Sequence, residues 1–173
     1  MLLVSKADAS AFSVELYPPI IQIKAVPPVT LQTPIIVKNQ GDQSETLDIS
    51  FKQFAQSDEQ NGQVRYLKDE ELNLKDPLMM QRISIYEEDT EISKIELGPK
   101  QQKELKLRVE VPENETASDY YFSVIFTSTS PPVSENKNKS EILMAAATNI
   151  LLSVGQEEQP KIQLEQLHAP FFQ

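Results

Sequence analysis

Short runs of alternating apolar and polar residues recur along nearly the whole chain, and they constrain the fold more than any other feature. Leu105–Val111 alternates without a break over its whole length. Another run places Leu47, Ile49 and Phe51 on one face. Successive side chains of a strand point to opposite faces, and a sustained 3.6-residue helical period is nearly missing from the sequence. The alternation predicts an all-β protein of antiparallel strands with one buried face.

Prolines and turn residues divide these runs. Pro18-Pro19 and Pro27-Pro28 end the first two, because proline donates no hydrogen bond to a sheet ladder. Asn39–Asp42 has the residue types of a turn. The pattern predicts an immunoglobulin-like antiparallel β-sandwich of about 7–9 strands. The runs that carry strand signals are Phe12–Leu16, Ile20–Ile23, Thr30–Asn39, Thr46–Phe54, Val64–Leu67, Ile83–Tyr86, Ile92–Leu97, Leu105–Val111, Tyr120–Ser128 and Ile142–Val154.

Two of these runs carry special expectations. Tyr120–Ser128 is dense in aromatic and β-branched residues, which predicts a central strand buried on both faces. Ala145-Ala146-Ala147 predicts a place where close packing demands small side chains. Residues 55–81 form a long polar excursion in which Glu70–Leu78 is expected to hold a helical turn.

The chain is expected to contain one main domain with two extensions. The sandwich is predicted to cover residues 12–155, and residues 156–173 are interpreted as a linker or the start of a following module. Residues 1–11 are interpreted as the remnant of a signal peptide or as a flexible tail. Ala9-Ser10-Ala11 has the small-x-small form that signal peptidase reads, just before Phe12. This motif favours an exported, extracellular or cell-surface protein.

Composition excludes several classes of partner and site. With 26 acidic and 16 basic residues the net charge is −10, which repels nucleic acid and anionic lipid alike. The sequence has no cysteine, so a disulfide framework, a thiolate metal site and a cysteine nucleophile are excluded. Four glycines supply no phosphate-binding loop, and no cofactor is expected.

Candidate catalytic groups are few, and we predict that the protein is not an enzyme. The single histidine, His168, lies in the C-terminal extension, so no Ser-His-Asp triad has a base within the domain. Glu87, Glu88, Asp89 and Glu91 crowd one loop, where a solvated acidic turn is favoured over a glycosidase pair. The alternative is an enzyme whose catalytic carboxylates lie apart in the sequence and meet only in the fold.

Acidic loops and asparagine sequons are the features that would carry a calcium ion or a glycan. Asp58-Glu59, Asp69-Glu70-Glu71 and Glu87-Glu88-Asp89 carry oxygens suited to calcium, but none has the spacing of an EF-hand loop. We therefore predict no metal site. The sequons Asn114-Glu115-Thr116 and Asn138-Lys139-Ser140 are interpreted as chance matches.

The aromatic residues of the penultimate run offer one possible ligand surface. Tyr120 and Phe122 alternate with Tyr121, so the two sets must point to opposite faces. The inward set, which includes Phe126, is expected in the core. The outward tyrosine is the weakest ligand candidate, because an exposed aromatic ring can stack on a sugar.

Several motifs together resemble a recurring bacterial design. These are Val37–Asp42, Leu97-Gly98-Pro99, Val111-Pro112 and Tyr120–Phe126. The sequence resembles the immunoglobulin-like peptidoglycan-binding domain of WxL surface proteins and, more distantly, the first domain of pilus-assembly chaperones and fibronectin type III domains. The resemblance implies a cell-surface role in binding or spacing. Its implied partner is cell-wall polysaccharide or another surface protein, with membrane anchoring through a segment outside this sequence.

The main functional hypothesis is therefore a non-catalytic, extracytoplasmic module for binding or spacing. The alternative is a chaperone-like domain that captures a client strand by β-augmentation. In that alternative, Phe12–Leu16 and Ile20–Ile23 frame an open sheet edge. No individual ligand-binding residue is predicted.

Overall fold

The structure is a computed structural model that describes residues 13–56, 64–68, 77–129 and 144–155. The described residues form eleven strands and one helical turn. In chain order these are β1 (Val14–Tyr17), β2 (Ile20–Ala25), β3 (Val29–Asn39), β4 (Glu45–Gln56), β5 (Val64–Tyr66), α1 (Pro77–Met80), β6 (Ile83–Glu87), β7 (Thr90–Ile92), β8 (Lys94–Leu97), β9 (Gln102–Val111), β10 (Ser118–Ser128) and β11 (Ala145–Val154).

The strands form two sheets. The first sheet has the order β1-β3-β9-β6-β7 and is antiparallel throughout. The second has the order β2-β11-β10-β4-β5, with β8 also paired to β4. In the second sheet β2 runs parallel to β11, while the other pairs are antiparallel. The predicted all-β sandwich is confirmed.

The core lies between the two sheets and follows the alternation of the sequence. In β9 every second residue from Leu105 to Val111 is buried, and the side chains between them face outward. In β4, Leu47 is fully buried, and Ile49 and Phe51 pack half-buried against the core. From β10 and β11 of the second sheet, Phe122, Phe126, Ile150 and Leu152 are fully buried.

Both lateral sides of the sandwich are crossed by a chain segment that changes sheet. On one side the chain leaves β1 of the first sheet and passes through Pro18-Pro19 into β2 of the second. On the other, β7 and β8 belong to different sheets and are separated by Ser93. The prediction of one strand over Ile92–Leu97 was therefore wrong. The change of sheet divides this run into β7 and β8, and the described residues contain eleven strands where we expected about 7–9.

The expectation for Tyr120–Ser128 is confirmed in part. β10 lies between β11 and β4, and Ser123 is fully buried although its side chain points away from the core. Ile125 and Thr127, on the same outer face, are half-buried. The outer face of this strand is thus covered only in its middle.

Some predictions fall outside the described residues. They concern Ala9-Ser10-Ala11, Asp58-Glu59, Asp69-Glu70-Glu71, the second sequon and His168. The helical turn expected within Glu70–Leu78 is described only from Pro77, where α1 begins. The domain boundaries at residues 12 and 155 stay predictions.

Within the described ranges, no helix has the length and hydropathy that crossing a membrane would require.

Candidate protein-binding edge

The acidic loop singled out in the sequence is a tight hairpin turn. Glu87 pairs with Thr90, so Glu88 and Asp89 form a two-residue loop between β6 and β7, and both are exposed. The Glu87 carboxylate lies 2.8 Å from Nζ of Lys103. In the part of the chain that the structure describes, no three histidine or acidic side chains come together as a metal site would need.

A buried carboxylate that sequence reasoning missed lies at one end of the sandwich. The Glu115 side chain is 4% exposed, and one of its oxygens is paired with the Arg82 guanidinium. The other oxygen accepts a hydrogen bond of 2.6 Å from the Tyr120 hydroxyl. A tyrosine at the start of the penultimate strand is a signal that points to such a corner in immunoglobulin-like sandwiches. Because Arg82 and Tyr120 already bind both oxygens, we interpret the role of this carboxylate as structural.

The aromatic residues of β10 divide as the alternation predicts. Tyr120, Phe122 and Phe126 are buried, while Tyr121 is 37% exposed on the outer face. The Tyr121 ring stacks on Phe54 with 6.1 Å between ring centroids and an interplanar angle of 23°. The ring remains partly exposed beside Phe54, and the role of Tyr121 as a ligand candidate stays a prediction.

A stretch of backbone edge in β11 is open on one side. Strand β2 pairs with β11 only from Asn149 to Val154, and Asn149 N–H donates to the Pro19 carbonyl at 2.9 Å. Pro19 has no N–H with which to continue the ladder, and from there the chain crosses to the first sheet. Among the described residues, Ala145–Thr148 therefore has β10 on one side and no hydrogen-bonded strand on the other, although β1 of the first sheet lies nearby.

The direction of the neighbouring hydrogen bonds identifies the groups at this edge. Asn149 and Gly155 both donate their N–H toward β2, and backbone groups alternate in direction along a strand. Ala145 and Ala147 therefore direct their N–H and C=O groups to the same side. For these four groups the described residues supply no backbone partner. Both alanines are exposed, so the expectation that the three alanines meet close packing was wrong for these two.

Exposed apolar side chains lie beside this open edge, together with the exposed Glu15 of β1. Tyr17 is 66% exposed and Ile20 is 54% exposed, and both flank the crossing at Pro18-Pro19. Val14 and Leu16 of β1 lie half-buried against the core on the same side of the sandwich. An extended peptide added here meets free backbone groups and an apolar margin.

The sequence analysis located this region only in part. It expected Phe12–Leu16 and Ile20–Ile23 to frame an open edge, and β1 and β2 are indeed the edge strands of the two sheets. The free backbone groups belong to Ala145 and Ala147, far along the chain. Pro19 was the available signal, but its effect on β11 depends on a parallel pairing that no local pattern reveals.

Comparison with known proteins gives structural likeness alone. No protein-family model and no curated protein matches this sequence. The chain is similar to the ASH/PapD-like domain 7 of human CEP192, with 11% identity, a TM-score of 0.50 and coverage of 91% of this chain and 94% of that domain. The fold is an immunoglobulin-like sandwich of the PapD type.

Two further structures align with the same TM-score of 0.50. One is a chain from a chaperone–tip adhesin complex of CFA/I fimbriae biogenesis, with 12% identity over 80% of this chain and 55% of that chain. The other is a family 123 glycoside hydrolase from Clostridium perfringens, with 11% identity over 82% of this chain and 24% of the enzyme. This PapD-type sandwich therefore spans about half of the fimbrial chain and a quarter of the hydrolase. The likeness supports the pilus-chaperone resemblance and gives no support to the WxL domain.

Proposed function

We propose that this PapD-type sandwich is a non-catalytic protein-binding module that takes an extended segment of a partner protein onto the open edge of β11. The observation that carries the proposal is the set of four free backbone groups at Ala145 and Ala147. A strand added beside them would satisfy all four, which is the mechanism of β-augmentation. The partner class is thus a protein with an accessible extended segment.

The energetics favour a short, apolar client segment. Each backbone hydrogen bond contributes about 1 kcal/mol net, so four bonds contribute about 4 kcal/mol before the cost of ordering the peptide. Apolar contact of the client segment with Tyr17 and Ile20 adds further binding free energy. The printed description of the fimbrial neighbour, a chaperone–tip adhesin complex, also supports a protein partner.

We also expect the domain to have no catalytic activity. The buried Glu115 carboxylate has both oxygens engaged, and the acidic hairpin turn is solvated. We expect no turnover of glycosides by the purified domain. Hydrolysis of a chromogenic glycoside panel that disappears in a Glu115→Gln variant would contradict this expectation.

The compartment belongs to the proposal as well. The motif Ala9-Ser10-Ala11 supports a place outside the cytoplasm. Protein recovered from its native host should begin at Phe12 on N-terminal sequencing. Recovery of an intact Met1 from the cytoplasmic fraction would contradict export.

Amide hydrogen exchange tests the open edge directly. At a dilution where the domain is monomeric, the amides of Ala145 and Ala147 should exchange fast, while those of Asn149 and Leu151 should be protected by β2. Short peptides of alternating Val and Thr should slow the two alanine amides selectively. Unchanged exchange at both alanines with every peptide would overturn the proposal.

A matched pair of variants separates backbone from side chain at the same position. Ala147→Pro removes the outward N–H and should abolish peptide binding, while Ala147→Val keeps that N–H and should retain it. Circular dichroism checks that both variants keep the sheet. Equal binding by the two folded variants would show that the β11 backbone is not the contact.

A further inference from the structure

We infer that two copies of this chain pair through the open edge of β11 about a two-fold axis at Ala146, forming a symmetric dimer when no client occupies the edge. The dimer uses the same edge of β11 as the proposed client, but its partner is a second copy of this chain. It does not require that any client exists.

The hydrogen-bonding pattern of β11 is self-complementary. An antiparallel arrangement centred on Ala146 sets Ala145 opposite Ala147 of the second copy, and the reverse. Both residues direct N–H and C=O toward the seam, so each opposing pair exchanges two hydrogen bonds. The four free groups of each copy are then all satisfied, and the contact is isologous, as a two-fold interface must be.

The small side chains favour a second folded domain over a flexible peptide as the occupant. Two sandwiches that meet edge to edge must bring their surfaces close on both faces of the joined sheet. Ala145, Ala146 and Ala147 leave room for that approach, and the two outward-facing residues are exposed. A flexible peptide can adjust around larger residues and does not need three alanines.

Charge is consistent with this seam despite the overall repulsion. Each copy carries a net charge of −10. Tyr17, Pro19, Ile20, Ala145 and Ala147 are uncharged, and the carboxylate of Glu15 in β1 is exposed to solvent, where it accepts a hydrogen bond from Gln40. Repulsion between the copies therefore acts between solvent-exposed charges, and added salt screens it. Salt should strengthen this dimer.

The other edges in the described part of the chain are poorer candidates. β1, β5, β7 and β8 are only three or four residues long, and they carry the charged residues Glu15, Arg65, Glu91, Lys94 and Glu96. β2 is bounded by prolines at both ends and carries Lys24. Short length, charge and proline are the features that protect sheet edges against pairing. The open stretch of β11, Ala145–Thr148, is also short, but it carries neither charge nor proline.

Single cysteines test the register, since the chain has no cysteine of its own. In the proposed pairing the two Ala146 Cα atoms lie about 4.5 Å apart, within the range of a disulfide. Two Ala145 Cα atoms lie on a diagonal of about 7–8 Å, which is too long. Mild oxidation should therefore cross-link Ala146→Cys into a dimer and leave Ala145→Cys largely monomeric. A mixture of Ala145→Cys and Ala147→Cys should cross-link as a heterodimer.

Sedimentation velocity without cysteines gives the independent readout. The unmodified chain should dimerise with a dissociation constant that falls as NaCl is raised, and Ala147→Pro should remain monomeric. A monomer at all protein and salt concentrations, or equal cross-linking at positions 145 and 146, would overturn the inference. Peptide protection of the Ala145 and Ala147 amides in such a monomer would leave the proposed function standing, so the two failures are distinguishable.

Discussion

At the scale of single residues, the buried side chain of Asn39 connects two turns through hydrogen bonds. Its Nδ2 donates to the Gln43 carbonyl at 2.7 Å and to the Gly98 carbonyl at 3.0 Å. Its Oδ1 accepts from the Gly41 N–H at 2.8 Å. The side chain is fully buried, and it ties the turn after β3 to the turn after β8.

Replacing Asn39 should destabilise the domain in a graded way. Asn39→Ala should lower the free energy of unfolding by about 2 kcal/mol, because buried carbonyls lose their donor. Asn39→Asp should cost more, since a carboxylate would face those carbonyls with a buried negative charge. Urea unfolding followed by circular dichroism measures both. The exposed neighbour Gln43→Ala is the control, with an expected change below about 0.5 kcal/mol.

At the scale of elements, the β6–β7 hairpin carries local strain at its turn. Glu88 has φ of 55°, in the left-handed region where a Cβ atom is unfavourable. Asp89, the other loop residue, is not among the residues with positive φ. Both side chains are exposed.

Exchange of either loop residue for glycine should therefore have opposite effects. Glu88→Gly should raise the free energy of unfolding by about 0.5 kcal/mol, and Asp89→Gly should lower it by a similar amount. Each change removes one carboxylate, so electrostatics is matched between them. The difference in urea midpoint is the measurement, and equal shifts for the two variants would contradict the strain at Glu88.

At the scale of the whole molecule, the carboxylate of Glu115 joins the two sheets through an ion pair and a hydrogen bond. Arg82 lies just before β6 of the first sheet, and Tyr120 lies in β10 of the second. Glu115, in the connection between β9 and β10, contacts both. The end of the sandwich is closed by this contact as well as by apolar packing.

Breaking the pair on one side should cost more than removing it altogether. Arg82→Met should lower the free energy of unfolding by roughly 3 kcal/mol, since it leaves the Glu115 charge buried without its partner. The double variant Arg82→Met/Glu115→Leu should recover more than half of that loss. Thermal or urea unfolding of the three proteins provides the comparison. A double variant as unstable as Arg82→Met would count against the buried charge as the cause.

Much of the fold was predictable because alternation is a local property of the chain. Leu105–Val111 buries its apolar face, Tyr120 and Phe122 point inward, and Tyr121 points outward, as their spacing indicates. The hairpin at Glu88-Asp89 also followed from residue type. The single strand expected over Ile92–Leu97 failed, because Ile92 and Ile95 are three residues apart and the alternation shifts phase where the chain changes sheet.

By itself, the sequence determined the all-β class, the inward faces and most turns, since each depends on residues only a few positions apart. Only the tertiary structure places Pro19 beside Asn149. As a result, the outward backbone groups of Ala145 and Ala147 have no strand partner among the described residues. It also decided that Arg82 reaches Glu115. These contacts join residues that are distant along the chain, and sheet pairing brings them together through long-range packing that no local pattern encodes.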